Sequence, residues 1–250
     1  MKIYSALQIG EYHLNHCEDY LFIDQLEKDK LLCAVMDGCT MGTDSYLAST
    51  LTGKLLRKIV KSINYKALYT SQHIEATPET ILKSILAELF RELAAIKNQL
   101  LLNQDELLTT LILLLVDTKS SEGMAFVIGD GLVAVNGHIT DYDQDNKPDY
   151  IGFHLGKDFE EWYTAQTQKI YFEHLEDVAI ATDGIGLFTK ITDQKTGIVD
   201  PVDFLVRDKD DYPKEDMLEI KLKKLEHQFG VKPGDDLAII RIINTDYVTA

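Results

Sequence analysis

The sequence predicts an α+β protein in which sheets are covered by helices. Two long amphipathic helical patterns fall early in the chain and a further one late, with many short apolar runs of strand character around them. The stretch "VIGDGLVAV" (Val127–Val135) reads as a hairpin, which needs an antiparallel neighbour, so the sheets are not all parallel.

Taken in order, "KIYSALQI" and "YLFIDQL" read as strands, followed by the apolar run "KLLCAVM" ending at Met36. A helix is expected from Thr43 to about Ile63, because Leu47, Leu51, Leu55, Ile59 and Ile63 recur every four residues, with Ala48, Leu56 and Val60 widening the stripe. A second helix starts at "TPET". Thr77 is the N-cap, and Pro78 suits the first helical position, where its missing N–H costs nothing. Ile81, Ile85, Leu89, Leu93, Ile96 and Leu100 keep one face of it apolar. Strands are expected at "LLTTLILLLVD", "GMAFVIGD", "LVAVNG", "YIGFHL" and "DVAIATD". A late helix runs through "PKEDMLEIKLKKLEHQF", burying Met217, Leu218, Leu222, Leu225 and Phe229, and "LAIIRII" is the last strand. The polar segment Asp141–Tyr150 is a loop. No repeat, low-complexity segment or Pro/Gly-rich linker divides the chain, so residues 1–250 are read as one domain.

With 41 acidic and 25 basic residues, the formal charge is −16. That argues against nucleic acid and anionic membrane surfaces as partners, since both are bound through Lys and Arg. Three cysteines, Cys17, Cys33 and Cys39, form no CxxC pair and point to a reducing compartment. The N-terminus lacks the apolar core of a signal peptide, and the longest apolar run, "LILLLV", is far too short to span a bilayer. A cytoplasmic protein is expected.

Acids recur at the ends of the apolar runs. "LLCAVMD" ends in Asp37, followed by Gly38; "GMAFVIGD" ends in Asp130; "VAIATD" ends in Asp183, followed by Gly184. Glu18 and Asp19 precede "YLFI", and Asp235 and Asp236 precede "LAIIRII". Any one of these is more often a turn or cap residue. Repeated at strand ends, they can converge on one edge of a sheet sandwich, where they would repel one another unless a divalent cation intervened. Several oxygen ligands suit a hard ion such as Mg2+ or Mn2+.

The pieces "CEDYLFI", "CAVMDG" with "AST" downstream, "LLTTLILLLVD", "FVIGDGLVAV", "AIATDGIGLF" and "GDDLAIIRI" follow one another over nearly the whole chain. In that order the sequence resembles the metal-dependent protein phosphatases, the type 2C Ser/Thr phosphatases of bacterial type. The resemblance implies a four-layer αββα sandwich of two mainly antiparallel sheets flanked by helices. It implies two Mn2+ or Mg2+ ions, with Asp37 bridging both, the Gly38 carbonyl binding one, and Asp183 and Asp235 completing the other shell. Asp235 is the match rather than Asp236, because the family motif uses the first residue of the pair. Glu18 and Asp19 resemble acids that hold metal-bound waters, and Asp130 the acid that supports a third, weaker ion.

The implied activity is hydrolysis of phosphoserine and phosphothreonine in phosphoprotein substrates, a signalling reaction. The chemistry is coherent on its own terms. Two ions roughly 3.5–4 Å apart lower the pKa of a bridging water toward neutrality and bind phosphoryl oxygens. Consistently, no GxSxG, CxxxxxR or GxxxxGK[ST] motif is present.

Two positions depart from the pattern. Leu14 stands where relatives often carry a phosphate-gripping Arg, and Cys39 where some carry a His proposed as general acid. His13 and His16 nearby are read as solvent-facing, and the histidines from His73 to His227 show no ligand spacing. The missing Arg feeds an alternative reading, a catalytically weak or inactive phosphatase-fold binding or regulatory module. A small-molecule phosphatase is a third.

Overall fold

The computed structural model describes residues 1–70, 76–144, 147–191 and 199–247. Its strands are numbered in chain order. One five-stranded sheet runs β1 (Lys2–Gln8), β12 (Leu237–Ile243), β9 (Asp177–Ala181), β6 (Gly131–Val135), β7 (His138–Tyr142). The other runs β2 (Tyr20–Leu26), β3 (Lys30–Met36), β4 (Leu111–Asp117), β5 (Gly123–Ile128), β8 (Lys169–Phe172). Every pairing in both sheets is antiparallel.

The central strands explain the unbroken apolar runs. Successive side chains of a strand point to opposite faces. In β3, Leu31, Cys33 and Val35 pack between the sheets, while Leu32, Ala34 and Met36 pack under helices. Because both faces are buried, no alternation with polar residues survives. Helices α1 (Ser45–Thr70) and α2 (Pro78–Leu100) cover the β3 sheet, joined by Trp162 and Tyr163 of α3 (Phe159–Ala165). Helices α4 (Pro201–Val206) and α5 (Met217–Lys224) cover the other sheet, with Leu205, Met217, Leu218 and Leu222 packed on Tyr4, Ala179 and Ile239. The layers are therefore helix, sheet, sheet, helix, an α+β fold. The Thr77 side chain accepts from the Thr80 N–H and caps α2 as expected.

Three expectations need correction. The "VIGDGLVAV" stretch is not a hairpin: β5 pairs with β4 and β8 in one sheet, β6 with β7 and β9 in the other. The chain crosses between sheets at Gly129–Asp130–Gly131, and the positive φ of both glycines, +91° and +127°, permits the turn. "YIGFHL" is not a strand but contains a single 3-10 turn, Ile151–His154, where a Cβ on Gly152 would lie 2.5 Å from the Leu107 carbonyl oxygen. The late helix starts at Met217 rather than near Pro213, and a π turn, Leu225–Phe229, closed by Gly230 at φ 71°, completes it. Within the expected loop Asp141–Tyr150, Asp141 and Tyr142 end β7 and residues 145–146 lie outside the described residues, as does His73.

Candidate active site

The strand ends of both sheets deliver the acids to one place. Asp37 follows β3. Its N–H donates to Thr110 Oγ1 (3.2 Å), and its carbonyl accepts from the Thr110 N–H (2.8 Å) and the Thr109 hydroxyl (2.7 Å). Gly38 bridges to Thr109, and a Cβ there would lie 2.2 Å from the Ser45 carbonyl oxygen, so only glycine fits. Asp130 sits on the crossover between the sheets. Asp183 follows β9, and a Cβ on the next residue, Gly184, would lie 1.9 Å from the Asp236 carbonyl oxygen. Asp37, Asp130 and Asp183 each bring a carboxylate oxygen within 4.8 Å of the others. Asp130, expected from the sequence to support only a third ion, thus lies inside this trio. Asp235 stands beside it: Asp130, Asp183 and Asp235, with Asp141 and Asp143, line an open cavity of about 400 Å³. Among the described residues, no lysine or arginine lines that cavity.

Burial and mutual repulsion raise the proton affinity of these carboxyls. Asp130 is pushed up to about 7, first by burial and then by the charge of Asp183. Asp183, although the residue is exposed, is pushed up to about 6, first by loss of solvent around the carboxyl and then by Asp235. Asp37 is raised by burial and by the charges of Asp19 and Asp183. Asp19 is buried and also raised, chiefly by burial; the Thr182 hydroxyl, which donates to it at 2.6 Å, works in the opposite direction.

This donor set fits a hard divalent cation. All the converging atoms are carboxylate oxygens, and Asp130 Oδ1 is buried with no hydrogen-bond partner among the described residues. A buried acceptor left unpaired is costly, and a cation satisfies it.

Glu18 and Asp236 anchor the loop that closes the site. The Glu18 carboxylate accepts from the Thr40 hydroxyl (2.8 Å) and the Ser45 hydroxyl, fastening the start of α1. Asp236, 2% exposed, accepts from the Gly10 N–H (2.7 Å) and the Glu18 N–H. Sequence reasoning missed His13. It does not face solvent freely but lies with Nδ1 2.8 Å from Asp236 and Nε2 3.4 Å from Asp235. Burial alone would lower its pKa, but Asp236, Glu18 and Asp235 outweigh that and raise it. Leu14 is 89% exposed. Tyr150 was also missed. Burial first, then Cys39, Asp37 and Asp130, push its phenol pKa upward.

The family model described as Protein phosphatase 2C matches residues 10–222. The chain belongs to the protein phosphatase 2C family. Its members are metal-dependent Ser/Thr phosphatases, and the acid cluster is a candidate for the metals they use. Among solved structures, a bacterial serine phosphatase carrying an arginine-to-glutamate mutation is 15% identical with a TM-score of 0.64, covering 98% of each chain. The SiaA-PP2C domain of Pseudomonas aeruginosa is 14% identical with a TM-score of 0.56, covering 97% of this chain and 85% of that one. RsbX in complex with magnesium is 16% identical with a TM-score of 0.53, covering 95% and 92%. At these identities the likeness shows the fold, including its two antiparallel sheets. No curated protein matches. Among the described residues, no helix is long and apolar enough to cross a membrane.

Proposed function

We propose that this chain hydrolyses phosphoserine and phosphothreonine in proteins, using two Mn2+ or Mg2+ ions with a third, weaker one. The observation that carries the reading is the convergence of Asp37, Asp130 and Asp183, with an unpaired buried oxygen on Asp130. Asp37, Asp183 and Asp235 would be the principal ligands, with the Gly38 carbonyl and Asp130 completing the set. When bound, such ions supply the charge that holds phosphoryl oxygens and turns water into a nucleophile near neutral pH. The protein's own part is placement. Thr182 fixes Asp19 behind Asp37, Asp236 ties residues 10–18 to the site, and Glu18 fastens the start of α1. Glu18 and Asp19 would also steady water around the ions.

The reading takes residues 1–250 as one catalytic domain in a cytoplasmic signalling enzyme, with phosphoproteins as partners and neither nucleic acid nor membrane. The acid-lined cavity, with no lysine or arginine among its described lining residues, favours a second reading, a weak or inactive binding or regulatory module. One experiment separates them: Mn2+-dependent hydrolysis of an aryl phosphate, then of phosphopeptides against sugar phosphates. Turnover with preference for phosphopeptides is expected. Metal binding without hydrolysis of any ester supports the module, and preference for sugar phosphates identifies a small-molecule phosphatase.

A further inference from the structure

The sheet that contains β9 brings its strands to the acid cluster in a fixed order. All its pairings are antiparallel, so one end of it gathers the close of β1, the start of β12, the close of β9, the start of β6 and the close of β7. Asp183 follows β9, the middle strand, with Asp235 just before β12 on one side and Asp130 just before β6 on the other. The two flanks of this row differ in chemistry. Toward β7 stand Asp141 and Asp143, both exposed and both on the cavity wall. They are outside the ligand set given above, so ions held by the cluster leave their charge in place. Toward β1 the surface is apolar. Tyr12 is 63% exposed, and Leu187, on the cavity wall, is 43% exposed.

Tyr12 and Leu187 both close on Gly234. The Tyr12 N–H donates to the Gly234 carbonyl (2.9 Å), and the Gly234 N–H donates to the Leu187 carbonyl (2.8 Å). A Cβ on Gly234 would lie 3.0 Å from the Tyr12 ring and 3.2 Å from Leu187 Cγ. Glycine thus lets the two side chains share one apolar surface, next to Asp235. Adjacent strands are about 4.8 Å apart, and an extended peptide advances about 3.3 Å per residue. A chain lying across the strand ends, with its phosphoryl group at Asp183, spans the two strand spacings to β7 in about three residues. It spans the one to two spacings to Gly234 and Tyr12 in roughly two or three. The site therefore meets a substrate with opposed chemistries, carboxylates on the β7 side and apolar groups on the β1 side.

We propose that the site selects phosphoprotein segments with a basic residue about three positions to one side of the phosphoserine, held by Asp141 and Asp143, and an apolar residue roughly two or three positions to the other, held by Tyr12 and Leu187. The inference rests on the phosphatase reading of the site. Peptides carrying the non-hydrolysable phosphonate analogue of phosphoserine test it by binding alone. Four labelled peptides are compared by fluorescence anisotropy on the full chain loaded with Mn2+. The first has Arg about three positions before the analogue and Leu about three after it, and the second has the reverse. The other two are the tighter of these with Glu for Arg, or with Ser for Leu. One orientation should bind most tightly. Glu for Arg should weaken it about fivefold or more, an effect that shrinks as salt rises from about 0.05 to 0.5 M. Ser for Leu should weaken it about fivefold at either salt. Asp141→Asn with Asp143→Asn should abolish the first discrimination, and Tyr12→Ser with Leu187→Ser the second, each with Mn2+ affinity unchanged. Equal binding of all four peptides overturns the proposal. So does weaker Mn2+ affinity in the Asp141 and Asp143 double variant, which would make these acids metal ligands. Discrimination that survives both double variants overturns it as well. Hydrolysis of the phosphoserine counterparts without this ranking upholds the phosphatase and overturns the proposal. The ranked binding without hydrolysis upholds the proposal and refutes the phosphatase.

Discussion

Neutralising Asp130 should stabilise the metal-free protein and destabilise the metal-bound one. In the fold its pKa is about 7, against roughly 3.9 in an unfolded chain. Three units at about 1.36 kcal/mol each give an upper figure of about 4 kcal/mol for the fully ionised carboxylate. The cavity beside it is open, so water entry and relaxation reduce this to roughly 2–3 kcal/mol. For a chain of this size each kcal/mol is worth about 2–4 °C, so Asp130→Asn should raise Tm in chelator at pH 8 by roughly 4–12 °C. The sign follows from linkage. Below about pH 4 both states hold the proton and the gain is absent. Between about 4 and 7 the folded state keeps a proton that the unfolded state releases, so wild-type stability falls as pH rises. Above about 7 the penalty is complete. With Mn2+ at a hundred times its Kd, the wild type gains about 2.7 kcal/mol, and the variant, short of one oxygen ligand, gains less. Thermal melts of both proteins from pH 4 to 8.5, with chelator and with Mn2+, check this. A variant that melts below wild type in chelator at pH 8, or a gain that does not depend on pH, refutes the reasoning.

Asp37→Asn, Asp183→Asn and Asp235→Asn should each lower kcat for an aryl phosphate by more than the roughly 10–100-fold that loss of a metal ligand's outer partner costs, with circular dichroism unchanged. Asp236→Asn should act mainly on stability. Its amide would face the N–H donors of Gly10 and Glu18, at a cost of about 1–3 kcal/mol in a denaturant titration, with less effect on kcat than Asp235→Asn. An essential Asp236 beside a dispensable Asp235 would shift the ligand assignment by one residue. Cys39→Ser should keep most activity, and trapping of a phosphocysteine would overturn attack by water.

The sandwich was legible wherever strands are buried on both faces, because "KLLCAVM", "LILLLV" and "LAIIRII" are continuously apolar. The short strands β7, β8, β10 (Phe188–Lys190) and β11 (Val231–Pro233) escaped because their residues are mostly half-buried or exposed and carry little periodic signal. The Gly129–Asp130 crossover was misread as a hairpin because the same glycines serve a tight turn or a change of sheet. Local sequence cannot tell these apart. The acids of the site were visible through their repeated position after apolar runs. His13 and Tyr150 were not, since both reach the site through loops whose paths depend on distant partners: Asp236 for one, Thr109 and Gly129 for the other.

The most direct test of the central claim is a Mn2+ titration of exhaustively chelated protein, following heat of binding and aryl phosphate hydrolysis on the same sample. The account predicts no turnover in metal-free protein and activity that climbs with occupancy of about two ions, as expected for a two-metal site. Full activity with metal content verified as nil, or tight Mn2+ binding that survives the triple substitution Asp37→Asn, Asp130→Asn and Asp183→Asn, would contradict it.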